Sequence, residues 1–369
     1  MEDTFTFILP FQGETNDRTL VNFNLLLAAV FLALAFLLFL FILISRWRDG
    51  YRVSRRLWME NISQEFITTY LFSDDDLTPE QSKFFQKKYI KNDSLRQIFL
   101  ENLILLHKNL IGESSDKLRQ LYIDFGLYQF SKQKLYSDSW NVIAKGIGEL
   151  AEMDMQQDSK LIRSFVNHSH SILRSEALVA LIKLRNNKPF AFLNKLEEPL
   201  LEWQQMQLAR AAQKNQLLAI PNFSKWLKNK EDSIVIFCLR MITYYTQHDA
   251  LPVILDLLIH PSAQVREEAV ATLRHLEAYE VTPKLVEIYE NETVEVKLEI
   301  LRTLATIAGP ETIELYESQL QQPDKRLQLA AARALVFCGE EGKEKILSIK
   351  NDLEHSLQTV AAYALDERL

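Results

Sequence analysis

Hydrophobic and polar positions change their arrangement twice along the chain. From residue 21 to residue 44 there is no charged residue, only a run rich in Leu, Phe and Ala without a polar stripe. As a helix these 24 residues rise about 36 Å, enough to cross a hydrocarbon core of about 30 Å with some tilt. Asn22 and Asn24 lie near one end and Trp47 at the other, where headgroups hydrate amides and amphipathic rings settle. Beyond residue 140 a different pattern takes over. The segments VIAKGIGEL (from Val142), LRSEALVAL (Leu173), IVIFCLRMI (Ile234), VREEAVATL (Val265), VKLEILRTL (Val296), LQLAAARAL (Leu327) and LQTVAAYAL (Leu357) start 31 residues apart, or 30 at the last step. The gap of 61 between Leu173 and Ile234 leaves room for one more unit, which WQQMQLARAAQ at residues 203–213 fills in one of two registers.

Each segment is apolar or small at its positions 1, 5 and 9, and usually at 6, which is one stripe of a 3.6-residue helix. Polar turns such as NHSHS, HPSAQ and QQPDKR precede the segments, and before the turns come further amphipathic stretches such as LPVILDLL and TIELYESQL. The unit is helix, turn, helix. A pair this short buries its apolar face only against stacked neighbours. The pattern predicts an all-α protein: one N-terminal transmembrane helix followed by an α-solenoid over residues 141–369. Residues 57–140 are less regular. SLRQIFLENLILL from Ser94 repeats the second-helix pattern, but Leu103 and Leu150 are 47 apart, so a repeat there carries an insertion. This region is expected to be a divergent helical cap or connector.

Apolar-Arg-x-x-Ala-x-x-Ala-Leu after an Asp/Asn/Pro turn resembles the short HEAT repeats also called PBS-lyase-like. HPSAQVREEAVATLRHL carries the likeness best, with SHSILRSEALVALIKL and PDKRLQLAAARALVFCG beside it. The resemblance specifies the fold and is nearly silent on function. It implies a bacterial setting, where this repeat type is abundant, and matches Arg174, Arg266 and Lys297 to a basic repeat position that makes contacts within the stack. In such solenoids the second helices line the inner surface. Position 7 points about 240° away from position 1 and is occupied by Arg240, Arg302 and Arg333, with Arg210 in one register, while position 4 on that face includes Glu268, Glu299 and Phe237. The resemblance therefore implies a concave arginine ladder. It is either a set of intra- and inter-repeat ion pairs or a groove for an acidic segment of a protein partner.

The boundary of the apolar run decides the topology. Residues 1–20 hold Glu2, Asp3, Glu14 and Asp17 against Arg18 alone, whereas Arg46, Arg48, Arg52, Arg55 and Arg56 face one Asp49 on the other side. A cleaved signal peptide would start basic, run shorter and end on small residues. The pattern instead predicts an uncleaved anchor at residues 21–45, an extracytoplasmic tail at 1–20, a basic juxtamembrane segment at 46–56 and a cytoplasmic remainder. The arginines and Trp47 are the expected membrane-interface and topology residues, and the arginines also suit anionic headgroups. TFTFILPFQ at residues 4–12 is apolar for a tail and reads either as a strip in the membrane interface or as an outer contact with a partner.

Charge and chemistry narrow the function. The formal net charge is −7, and beyond residue 56 there are 44 acidic against 36 basic residues, which excludes nonspecific nucleic-acid binding. Cys238 and Cys338, in apolar helical patterns, suit a reducing compartment. SDDDLTPEQ at residues 73–81 lacks the mid-loop Gly and closing Glu of a calcium loop, and Thr78, Pro79 and Gln81 describe a helix start. His168 and His170 bring no third ligand, and Gly146 and Gly148 lie in a helix, where small residues permit close packing. No catalytic, metal or cofactor site and no small-molecule substrate is evident. The expectation is a membrane-anchored, non-enzymatic scaffold or adaptor presenting its solenoid to protein partners at the bacterial inner membrane. An accessory subunit of an envelope or polysaccharide-export complex is one concrete setting. An enzyme or bilin-handling HEAT protein, and a sensor using residues 1–20 outside, are the competing classes.

Overall fold

The computed structural model describes residues 14–72, 78–184, 188–214, 220–352 and 356–366, and every helix or strand assigned among them is a helix. Residues 4–12, the acidic run at 73–76, and Glu367 and Arg368 lie outside the described residues. The chain divides into two compact units, Met1–Leu127 and Tyr128–Leu369.

In the first unit, helix α1 (Glu14–Phe72) runs for 59 residues without a break. Nearly all side chains from residue 21 to residue 58 are exposed. At Met59 the pattern becomes amphipathic: Met59, Ser63, Phe66, Ile67 and Leu71, three to four apart, are buried. One helix face is thus committed to a core only in its last third. Helix α2 (Pro79–Phe85) starts on a reciprocal cap. The Gln81 N–H donates to Thr78 Oγ1 at 3.3 Å, and the Thr78 N–H to Gln81 Oε1 at 3.0 Å. The capping role expected of Thr78 and Gln81 is therefore what these residues do. Helix α3 (Asp93–His107) starts on Asn92, which accepts from the Ser94 and Leu95 N–H groups, and α4 (Glu113–Asp124) closes the unit. The core is aromatic. Phe66 stacks on Phe85 at 3.9 Å between ring centroids, Phe85 lies 5.4 Å from Phe99, and Phe99 lies 5.7 Å from Phe125. Such offset and tilted rings add about 0.5–1.5 kcal/mol per pair beyond area burial.

Helix α5 (Leu127–Lys134) begins at the boundary, and the second unit is a helical-repeat solenoid. Its helices are α6 (Trp140–Glu152), α7 (Ser159–Arg163), α8 (Ser171–Lys183), α9 (Glu202–Lys214), α10 (Asp232–Tyr245) and α11 (Leu251–Asp256), followed by α12 (Ala263–His275), α13 (Thr282–Tyr289), α14 (Val294–Ile307), α15 (Ile313–Leu320), α16 (Lys325–Phe337), α17 (Glu340–Asn351) and α18 (Gln358–Ala364). The second helices α6, α8, α9, α10, α12, α14 and α16 begin 31 residues apart, with one step of 30. The expected stripe is the buried one. Leu173, Ala177, Leu178 and Leu181 of α8 are buried, as are Val296, Ile300, Leu301 and Leu304 of α14, and the second helices pack on one another in two runs, α6 to α8 to α9 and α10 to α12 to α14 to α16. Helix α9 takes the register in which Gln204, Leu208 and Ala212 are buried, so Arg210 stands at position 7. Gln204 is tolerated inside because its amide donates to the Ser171 carbonyl and accepts from the Leu201 N–H.

Two first helices shrink to one 3₁₀ turn, Ala191–Asn194 and Phe223–Trp226. Large rings occupy the space they vacate. Phe190 lies 5.0 Å from Phe223 and 6.1 Å from Phe237, and Trp226 Nε1 donates to Asn194 Oδ1 at 2.8 Å. At the other end, Gly146 lets α6 approach α5. A Cβ there would lie 2.7 Å from Leu135 Cδ1 and 2.8 Å from the Ser131 carbonyl oxygen.

Candidate functional site

An arginine at position 2 of a second helix bonds back to the turn before it. Arg174 Nη1 donates to the His168 carbonyl at 2.8 Å and Arg266 Nη1 to the His260 carbonyl at 2.7 Å, six residues back in each case. Arg266 also makes a two-pronged ion pair with Glu292, and Lys297 reaches Glu290 and lies over the Tyr289 ring. Arginine at position 2 thus closes the turn that precedes its own helix. In α3 of the first unit, Arg96 Nε donates to the Ile90 carbonyl at 2.9 Å, again six residues back.

Position 7 behaves differently. Arg240 on α10 bridges two neighbours: Nη1 donates to Gln205 Oε1 of α9 at 3.0 Å and Nε to Glu268 Oε2 of α12 at 3.1 Å. Burial raises the Glu268 pKa, and Arg240 opposes that shift without cancelling it. Arg302 on α14 donates to Glu299 Oε2 at 3.2 Å, and Arg274 on α12 takes the other oxygen of the same buried carboxylate at 2.7 Å. Phe237, at position 4 of α10, is buried. Arg210 and Arg333 make no ion pair or hydrogen bond among the described residues. The structure thus sorts the four position-7 arginines into one that joins neighbouring helices (Arg240), one paired within its own helix (Arg302) and two whose guanidiniums remain available.

Arg302 and Arg333 come together in a groove of about 740 Å³ between α14 and α16. Arg274 and Arg326 share its lining, which contains no carboxylate. Its apolar surface is Leu298, Ala305, Leu329, Ala330 and Ala334. At one end stands Phe337, 74% exposed. Asp324 holds Arg326 in place at 3.0 Å, with Glu295 at 3.6 Å, and its carboxyl pKa is lowered by that hydrogen bond. Arg210 and Arg240 are outside this lining. Sequence reasoning missed Arg274, Arg326 and Phe337. Arg274 lies three residues beyond position 7 and Phe337 four beyond Arg333, so extending the count along the same face by one turn reaches both.

The residues expected at the membrane interface lie on α1. Trp47 is 76% exposed, and Arg46, Arg48 and Arg55 have no partner among the described residues. Arg52 pairs loosely with Asp49 at 3.7 Å. Arg56 is bound into the first unit, with Nε on Glu60 at 2.8 Å and Nη2 on Glu101 of α3 at 3.2 Å. Other chemical candidates have local partners. His168 Nδ1 accepts from the His170 N–H, and His170 stacks on Trp140 at 4.0 Å. Cys238 and Cys338 are free thiols in the interior, and burial pushes the Cys238 pKa up.

No family model matches the chain, and no curated protein matches it. Solved structures do. A mutant of Kap121p, a karyopherin, superposes with a TM-score of 0.55 at 14% identity, over 83% of this chain and 39% of that one. The chain thus spans well under half the length of that relative, and at this identity the likeness bears on fold alone. A designed armadillo repeat protein (17% identity, 58% of this chain, 100% of that one, TM-score 0.29) and human deoxyhypusine hydroxylase in complex with glycerol (14%, 70%, 96%, TM-score 0.30) overlap too loosely to carry an argument. The fold that structure and comparison define is the helical-repeat α-solenoid.

Proposed function

We propose that this chain is a membrane-anchored, non-enzymatic scaffold whose second-helix face docks protein partners. The observation that carries this reading is the recurrence of arginine at one outward position of α9, α10, α14 and α16, two of them unpaired and one of those in an apolar-floored groove. Packing alone does not call for Arg at that position. The reading of residues 21–45 as a transmembrane span is supported by α1, the one helix among the described residues long and apolar enough to cross a membrane. With the cationic end retained inside, residues 1–20 lie outside and the solenoid lies in the cytoplasm. Residues 57–140 then connect anchor to solenoid. The short PBS-lyase-like repeat subtype favours a bacterial inner membrane, and an accessory role in an envelope or polysaccharide-export complex fits a tethered surface of this kind. Tethering raises the effective concentration of the surface for membrane partners.

Two measurements test this. Phosphatase fused at the C-terminus in a bacterial host is expected to be inactive and phosphatase inserted at residue 18 active; the reverse pattern overturns the topology. Photocrosslinkers placed in intact membranes at Arg210 and Arg333 are expected to capture one partner that a crosslinker at Glu287, exposed on the first helix α13, does not. Equal capture from both faces, or capture unchanged by charge reversal of the other arginine, removes the docking role.

A further inference from the structure

We propose that the α14–α16 groove binds an extended acidic peptide segment of a protein partner that also carries one large apolar side chain. The inference rests on the docking reading above and names its ligand. The charge is the first argument. Four guanidiniums line the groove and no carboxylate does. Arg274 and Arg302 share the single carboxylate of Glu299, Arg326 is met by Asp324 and, at 3.6 Å, by Glu295, and Arg333 has no partner among the described residues, so one positive charge is left over in all. This surplus stands in a region that is acidic on balance beyond residue 56. A matching anion would meet local attraction while acidic surfaces elsewhere steer it to this face.

The apolar floor is the second argument. Ala330 and Ala334 are small where Leu298, Leu329 and Phe337 are large, and the space between them is roomy enough for side chains. Pockets of about 300–1,000 Å³ are those that enclose a compact apolar group with a few polar contacts. A lone phosphate or a lipid headgroup would satisfy the arginines and leave this floor and Phe337 uncovered. A nucleic acid strand would find a single exposed ring and an acidic surround, without the run of stacking platforms that single-strand binding uses. A peptide fills both needs. Its carboxylates reach Arg333 and Arg302 across the rim while its apolar side chain seats between α14 and α16 beside Phe337. Arg–carboxylate pairing is frequently bidentate, which sets register as well as strength.

The test is selection of a random dodecapeptide library on phage against the purified full chain in nanodiscs, followed by fluorescence anisotropy with synthetic copies of the enriched peptides. Enriched sequences are expected to carry two or more Asp or Glu close to one Phe, Trp or Leu. Binding should weaken with salt and fall by more than about tenfold in Arg333→Glu. Arg333→Gln should lose less, and Phe337→Ser should weaken binding of the same peptides. Arg333 makes no ion pair, so an unchanged melting temperature is expected for both Arg333 variants; a melted variant is replaced by Arg333→Lys, expected to bind more weakly because a point charge replaces a fork. Peptides without acids, acidic peptides that bind Arg333→Glu as they bind wild type, or equal competition by a 12-nucleotide single strand overturn the proposal. Acidic peptides whose binding is lost in Arg210→Glu but kept in Arg333→Glu would remove this groove and leave the second-helix face as the docking surface. Enriched peptides insensitive to every arginine on that face would remove both.

Discussion

A single position of the repeat holds arginines of different meaning, and only their neighbours tell them apart. Arg240 and Arg333 occupy equivalent places, yet Arg240 is spanned between Gln205 and Glu268 and Arg333 is bound to nothing described. Counting in steps of about 100° per residue was enough to find the face. It could not find the pairing, because Gln205 and Glu268 lie 35 and 28 residues from Arg240 and their approach depends on how helices stack. Glu268 carries a consequence for pH. Burial raises its pKa above the ordinary 4.5 despite Arg240. The folded chain therefore holds the proton more tightly than the unfolded chain. Its contribution to stability is complete below pH 4.5 and is lost as pH rises through the folded value. Glu268→Gln does not titrate. In urea unfolding followed from about pH 4 to about pH 6, the variant should gain on wild type as pH climbs. A gap that moves the other way would mean that Arg240 dominates Glu268 and that the pair stabilises the ionised form.

At the scale of the element, the second helices were legible because their stripe repeats at a constant spacing and each one buries that stripe. The first helices were not legible in the same degree. Ala191–Asn194 and Phe223–Trp226 are single turns because Phe190, Phe223 and Phe237 fill the volume from neighbouring repeats, a property of three separated segments together. Helix α1 shows the same limit in another form. Composition divides it at residues 45 and 56, whereas its backbone continues unbroken to Phe72, because an Arg-rich stretch with one glycine is no obstacle to a helix. Its Gly50 and the Gly146 of α6 make a paired test. A methyl group at Gly50 meets nothing within 4 Å, so Gly50→Ala should stabilise α1 by up to about 1 kcal/mol. At Gly146 the same methyl group would meet Leu135, Lys134 and Ser131 within 2.8 Å. Overpacking of about 1–3 kcal/mol then outweighs the helix preference. Thermal unfolding by circular dichroism should show Gly146→Ala less stable than wild type and Gly50→Ala no less stable. Equal effects would mean that α5 and α6 part easily.

For the whole molecule, apolar surface is divided between two destinations. Most side chains of residues 21–44 are apolar, many of them large, and they are exposed, and no other element of the described chain covers them. The repeats, by contrast, turn their apolar stripes on each other, and Leu304 of α14, fully buried, stands in the middle of one such contact. A fragment beginning at residue 57 removes the first kind of surface. It keeps Met59, Phe66, Ile67 and Leu71, which close the first unit's core. It should therefore remain soluble without detergent and give a circular dichroism spectrum dominated by helix, while the full chain needs detergent or lipid. In a stacked array each helix pair is held by its neighbours. Leu304→Asp places a carboxylate in a contact with no polar partner and should destabilise the fragment by several kcal/mol. The loss should be seen first around α12, α14 and α16, as faster hydrogen exchange there than in α6 and α8. Uniform exchange across all repeats would show that the array unfolds as one cooperative body. A soluble, unaltered Leu304→Asp fragment would show that the stripe is not what holds the stack.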